Sequence, residues 1–196
     1  MHPGVLRVLL VDNTSDRASA LKQALGAMEG VEVACILESP LELFARVSEH
    51  RPDVVLIDTE SPSRDVLEQL AVMSSSAPRA VVLFTGDAES DTIRAALRAG
   101  VSAYIVDGIA PARLDPIMRV AMERFEADQK LRAELDDTRA RLEERKLVER
   151  AKGILMKQRG VSEDEAFAAL RRHAMERGLR LGDAAKQVID VAALLG

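Results

Sequence analysis

Five short apolar runs divide the first part of the chain: Arg7–Asp12, Val31–Ile36, Val54–Asp58, Ala80–Thr85 and Ala103–Val106. Each is rich in valine, isoleucine or leucine and lacks the alternation that would leave one face wet, so each predicts a strand buried on both sides. Between them, Asp16–Met28, Pro40–Glu49, Arg64–Ser74 and Ser90–Ala99 carry apolar residues at helical spacing and end in glycine, proline or polar clusters. Alternating strand and helix imply a parallel sheet with helices on both faces, because crossovers are right-handed almost without exception. Five such units suit the strand order 2-1-3-4-5.

The pattern changes after Pro111. From about Ala112 to Met156 it predicts one long helix, with no glycine until Gly153. Apolar residues recur at Leu114, Met118, Ala121 and Phe125. After a change of phase near Asp128 they recur at Leu131, Leu135 and Leu142, with Thr138 between. This four-three spacing predicts a coiled-coil seam pairing two chains rather than a lone solvated helix. The remaining residues predict a compact helical unit. Ser162 to Glu165 reads as a capping box. Ala166, Phe167, Leu170 and Ala174 form the inner stripe of the helix it opens, Arg171, Arg172 and Arg177 lie on or near the outer one, and Gly178 ends it. A last helix runs from near Leu181 to Leu195. The expected organisation is a globular domain over residues 1–120, a helix over 112–150 and a small helical domain over 143–196, which leans on the long helix or on a second chain because its own core is small.

Composition narrows the chemistry. The 196 residues are 47% hydrophobic and 30% charged, ordinary for a folded globular protein and unlike collagenous, low-complexity or disordered chains. One cysteine, Cys35, cannot form an internal disulfide, and His2, His50 and His173 show no metal-ligand spacing. No apolar run approaches membrane-span length and no leader pattern precedes the first strand, so the expected location is cytoplasmic, with no membrane partner. The net charge of −5 is uneven: residues 143–196 carry +2 and the rest −7. A mildly basic end is compatible with nucleic acid without indicating it.

In an open sheet of this kind, ligands bind beyond the carboxyl ends of the strands. Asp12 and Asn13 end the first strand, Asp58 the third, Thr85 the fourth and Asp107 the fifth. Convergent carboxylates such as Asp12 and Asp58 suit Mg²⁺, which prefers oxygen ligands, and a carboxylate beside that ion can attack a phosphoryl group; Asp58 would be the phosphoacceptor. The arrangement resembles the receiver domain of two-component response regulators over roughly residues 5–120. Val11-Asp12-Asn13 stands where that family has its acidic pair, Asp58-Thr-Glu-Ser-Pro62 where it has the phosphoacceptor and a following proline, Phe84-Thr85-Gly86 at the switch hydroxyl and Tyr104 at the switch aromatic. The resemblance implies a flavodoxin-like α/β fold in which Thr85 binds the phosphoryl oxygen and Tyr104 turns inward. Two departures stand out. Asn13 replaces an acidic metal ligand, and Asp107-Gly108 stands where the family has lysine and proline, so an anion replaces the cation that would pair with the phosphoryl group.

The stretch Leu147-Val-Glu-Arg150-Ala151-Lys152-Gly153-Ile-Leu-Met156-Lys157, then Gly160-Val-Ser-Glu-Asp-Glu-Ala166-Phe167, is similar to the ANTAR domain, an RNA-binding module of transcription antitermination regulators. Receiver, coiled helix and this module together resemble the AmiR/NasT family, and Asp107 points to its nitrate-assimilation, NasT-like members. The resemblance implies a regulator, not an enzyme, that binds hairpins in the leader of nascent mRNA. It also implies an upstream partner, either a histidine kinase acting through Asp58 or a ligand-sensing NasS-like protein; Asp107 favours the second. Arg150, Lys152, Lys157, Arg159, Arg171 and Arg172 can supply phosphate contacts. Ala151 and Gly153 are small enough to admit RNA or another helix. Phe167, sole aromatic after Phe125, is expected in the core. The alternative is a coiled-coil interaction adaptor whose charges at 150–172 are merely solvated.

Overall fold

The computed structural model describes residues 5–12, 15–106 and 111–195, and the side chains of all of these except 12, 15–20, 111 and 195. Asn13, Asp107 and Gly108 lie outside the described residues. The chain forms two compact units, Met1–Gln129 and Lys130–Gly196.

The first unit runs β1 (Leu6–Asp12), α1 (Ser15–Gly26), β2 (Val31–Leu37), α2 (Leu43–His50), β3 (Val54–Asp58), α3 (Arg64–Ser76), β4 (Ala80–Thr85), α4 (Ser90–Arg98), β5 (Ala103–Val106) and the start of α5 (Leu114–Arg159). The strands form one parallel sheet in the order β2-β1-β3-β4-β5, the flavodoxin-like topology expected from the alternation. Every residue of β3 and β4 is buried. Alternate residues of the central strands face opposite layers. Leu9, Val55, Ile57, Val81 and Leu83 pack with Leu43 and Val47 of α2 and Val66, Leu70 and Met73 of α3. Val8, Leu10, Val54, Leu56, Val82 and Phe84 pack with Leu21 and Leu25 of α1 and Leu114, Met118 and Ala121 of α5. That two-sided burial is why the central strands read as continuous apolar runs, whereas the edge strands β2 and β5 are partly exposed, contrary to the expectation for them.

The second layer corrects the first half of the seam expected along the long helix. Leu114, Met118 and Ala121 are sheet-covering core, whereas Leu131, Leu135 and Leu142 are exposed. The phase change near Asp128 is thus the point where the apolar stripe stops serving the sheet. Pro116 is tolerated in the first turn of α5, where its missing N–H has no intrahelical partner to lose.

The second unit packs the end of α5 with α6 (Glu163–Arg177) and α7 (Leu181–Leu195). Its core is Val148, Ala151, Leu155, Ala166, Leu170, Ala174, Ala184, Ala185 and Ile189. Five of these nine are alanines, so the helix backbones approach closely around a single large, nearly water-free side chain, Leu170. The Ser162–Glu165 capping box is present in full. Gly160 and Gly178 take left-handed φ values of 65° and 62°, which close the two turns at little steric cost.

Candidate receiver pocket and nucleic-acid interface

Strand register builds the first site. Asp58, last residue of β3, lies opposite Asp12 on β1 and Phe84 on β4, and Thr85 follows at the end of β4. Asp58 and Thr85 are buried. The backbones of the two aspartates thus hold paired positions on neighbouring strands.

A hydrogen-bond network engages Thr85 and Tyr104. The Thr85 hydroxyl donates to the Glu60 carbonyl at 2.7 Å and accepts from the Asp87 amide at 3.1 Å. The Tyr104 hydroxyl, reaching from β5, donates to the Asp87 carbonyl at 2.9 Å. The Asp87 carboxylate accepts from the Glu89 amide at 2.8 Å and the Ser61 hydroxyl at 2.7 Å. Those donors, the Glu89 amide first and Ser61 second, hold the Asp87 carboxyl below the usual range. Burial first, then the charge of Asp87, pushes the Tyr104 phenol up. Asp87, Glu60 and Ser61 therefore join the β3–α3 loop, the β4–α4 loop and β5, and none of them was singled out from the sequence. The available signal was Asp87 two residues before Glu89 at the start of a helix, the spacing of an Asx turn.

The C-terminal unit sorts the basic residues by face. Along α5, Val148, Ala151, Lys152 and Leu155 point inward. The opposite stripe, at four- and three-residue steps, is Lys146, Arg150, Gly153 and Lys157, all exposed. A Cβ added to Gly153 would meet nothing within 4 Å, so packing within the chain does not explain this mid-helix glycine. Arg171 and Arg172 stand exposed on α6. Arg159 is on a different side, lining a groove of about 580 Å³ with Gln158, His173, Arg177 and Gln187, where His173 Nε2 lies 3.1 Å from Gln187 Oε1. Among the described residues no carboxylate pairs with Arg150, Lys157, Arg159, Arg171 or Arg172.

Three expectations for this unit change. Ala151 is fully buried in the helical core and offers nothing to an outside ligand. Lys152 is only 8% exposed, and its ammonium donates to Glu149 at 2.9 and 3.1 Å and to Glu163 of α6 at 2.6 Å. It is a clamp between α5 and α6, not a free phosphate contact. Phe167 is 40% exposed instead of sitting in the core, because Ala166 and Leu170 already fill the inward positions of α6.

The clamp has a pH window. Hydrogen bonds from Lys152 lower the Glu163 carboxyl below its usual 4.5, and those to Glu163 and then Glu149 raise Lys152 above 10.5. A depressed carboxylate stabilises above its unfolded pKa and loses that contribution as pH falls through the folded one; a raised lysine does so below its unfolded pKa and loses it as pH rises. The pair is therefore intact from about pH 5 to pH 10. Lys152→Met is expected to lower the melting temperature of the C-terminal unit at pH 7 and to shrink its loss between pH 5 and 3. Equal acid sensitivity in both proteins would show that the clamp contributes nothing.

A five-stranded parallel sheet with acidic residues abreast at its carboxyl edge and a buried threonine beside them defines a response regulator receiver. The chain matches the response regulator receiver domain family over residues 8–119 and belongs to it. Residues 136–189 match the ANTAR domain, so among response regulators it is one that carries an ANTAR module. The transcriptional regulatory protein PdtaR of Mycobacterium tuberculosis is 31% identical over 188 residues, spanning 94% of this chain and 89% of that protein. The nitrate regulatory protein of Klebsiella oxytoca is 37% identical over 89 residues, 45% of this chain and 22% of that protein. Among solved structures, the response regulator domain of Thermotoga maritima CheB superposes with a TM-score of 0.53 at 27% identity, covering 61% of this chain and 97% of that one. No described helix is long and apolar enough to cross a membrane.

Proposed function

We propose that the protein is a cytoplasmic regulator of transcription antitermination whose C-terminal unit binds hairpins in the leader of a nascent mRNA. The observation that carries this reading is the outer stripe of α5. Among the described residues, Arg150 and Lys157 project cations without a carboxylate partner on either side of Gly153, a helix-interior glycine that costs stability and whose added Cβ would meet nothing within 4 Å. Cations flanking bare backbone suit a phosphate chain that must come close. A solvated surface, as in the adaptor alternative, gives no reason for that glycine.

The exposed Leu131, Leu135 and Leu142, spaced for a coiled seam, support a homodimer that presents two such stripes to two hairpins. The receiver supplies control. Asp12 and Asp58 would hold Mg²⁺, which neutralises charge there during phosphorylation of Asp58 by a histidine kinase. Asp107, outside the described residues, replaces the cation that assists this route. A sensor protein that sequesters the regulator, as a NasS-like protein would in a nitrate-responsive system, is therefore the preferred controller.

One titration tests both parts. The full chain is incubated with Mg²⁺ and a small phosphodonor, weighed intact, and titrated with two-hairpin RNA at several salt concentrations. Tight, steeply salt-dependent binding is expected, without a mass increase on the protein. Binding indifferent to RNA structure would favour the adaptor; stoichiometric labelling of Asp58 would restore the kinase route.

A further inference from the structure

We infer that the outer face of α6 is a stacking site for an unpaired nucleobase, with the Phe167 ring as its floor. This rests on the RNA-binding reading and specifies which part of a hairpin the helix contacts. Phe167 is 40% exposed and Met175, two turns on, 73% exposed. Together with Ala168, Arg171, Arg172 and Glu176 they line a shallow hollow of about 440 Å³. Arg171 lies one turn after Phe167 and Arg172 one turn after Ala168, so two guanidinium groups, unpaired among the described residues, border the apolar floor.

Three features select a base over other occupants. The ring is held on a stiff helix, because the capping box anchors the first turn only a few residues before it. The apolar side chains lining it are just Phe167, Ala168 and Met175. That is far less than the roughly 800 Å² per partner of a stable protein interface, so a second copy or an adaptor partner does not fit. Two arginines against the single carboxylate of Glu176 leave the rim net positive, which suits the phosphates flanking a base and would repel another basic surface. Within a stem both faces of each base are already stacked, so the free face comes from a loop or bulge. Stacking also meets a need the phosphate contacts leave open, since charge alone carries no information about which nucleotides are displayed.

The test uses the full chain and a pool of RNA stem–loops with randomised loops, from which the tightest binder is taken. Phe167→Leu keeps an apolar side chain without the ring, and Phe167→Tyr keeps the ring. Phe167→Leu is expected to weaken binding about tenfold with an unchanged salt slope, and Phe167→Tyr to bind like the parent. One loop position made abasic should weaken the parent by the same factor and leave Phe167→Leu unaffected. A 2-aminopurine at that position should be quenched by the parent protein and not by Phe167→Leu. If Phe167→Leu binds like the parent while Arg171→Ala binds less well, the stacking site is wrong and the RNA function stands. A parent chain that binds no member of the pool overturns the function itself. A change in sedimentation of Phe167→Leu without RNA would make the face a protein contact and overturn the inference.

Discussion

Leu170→Ala is expected to abolish the cooperative unfolding of the C-terminal helical unit. Leu170 is the one large side chain of that core with almost no exposure, and five of its eight core neighbours are alanines. Removing a buried leucine side chain costs about 2–5 kcal/mol, most where the surroundings cannot collapse into the space. Alanine methyls on three helices already in close contact have little room to move inward. At roughly 0.05–0.15 kcal/mol per residue, a unit of this size holds only several kcal/mol in total. Urea unfolding followed by far-ultraviolet circular dichroism should therefore lose helix signal at low denaturant. The fluorescence of Tyr104, which reports the receiver sheet, should keep its midpoint. Unaltered helix content and an unshifted transition would show that the small core is not what holds the unit together.

Replacing both Arg150 and Lys157 by alanine is expected to produce the largest loss of RNA affinity short of unfolding. Each phosphate contact contributes close to one unit to the slope of log affinity against log salt, so the double variant should flatten that slope by nearly two units. Near 0.1 M salt the same arithmetic gives a loss of roughly fiftyfold. Both side chains are exposed and unpaired among the described residues, so stability should hardly change. Gly153→Ala offers a second view of the same stripe. It should stabilise α5 by about 0.5–1 kcal/mol and yet weaken RNA binding, because its methyl group intrudes where only an outside molecule comes near. A variant that is both more stable and equally tight would remove the reason given for that glycine.

The central strands were legible because they are buried on both faces, so composition alone marks them. Strands β2 and β5, expected to be equally buried, are partly exposed because each lies at an edge of the sheet. The Ser162–Glu165 cap was legible because its geometry is local. The surface of the C-terminal unit was legible only in part. Arg150, Lys157, Arg171 and Arg172 are exposed, as charged side chains are expected to be, but a lysine's partners are set by tertiary neighbours, and Lys152 is held by Glu163 eleven residues away. Phe167 was misplaced for a related reason. Its spacing fits the stripe of Ala166 and Leu170, yet a core built from alanines is too thin to admit a ring, and thickness is a property of three helices together. In the receiver, Thr85 and Tyr104 were readable from their places in the pattern, whereas Asp87 acts through its backbone carbonyl as much as through its carboxylate. Backbone acceptors leave no mark in an amino-acid string.

The dual engagement of the Thr85 hydroxyl sets what its reorientation costs. An acceptor arriving at Asp58 that recruits this hydroxyl takes its single proton from the Glu60 carbonyl, which keeps the Gly86 amide as a donor at 3.2 Å, while the hydroxyl oxygen goes on accepting from the Asp87 amide. Neither loop is left with an orphaned backbone group, so the hydroxyl is free to exchange a carbonyl for a stronger acceptor at small cost.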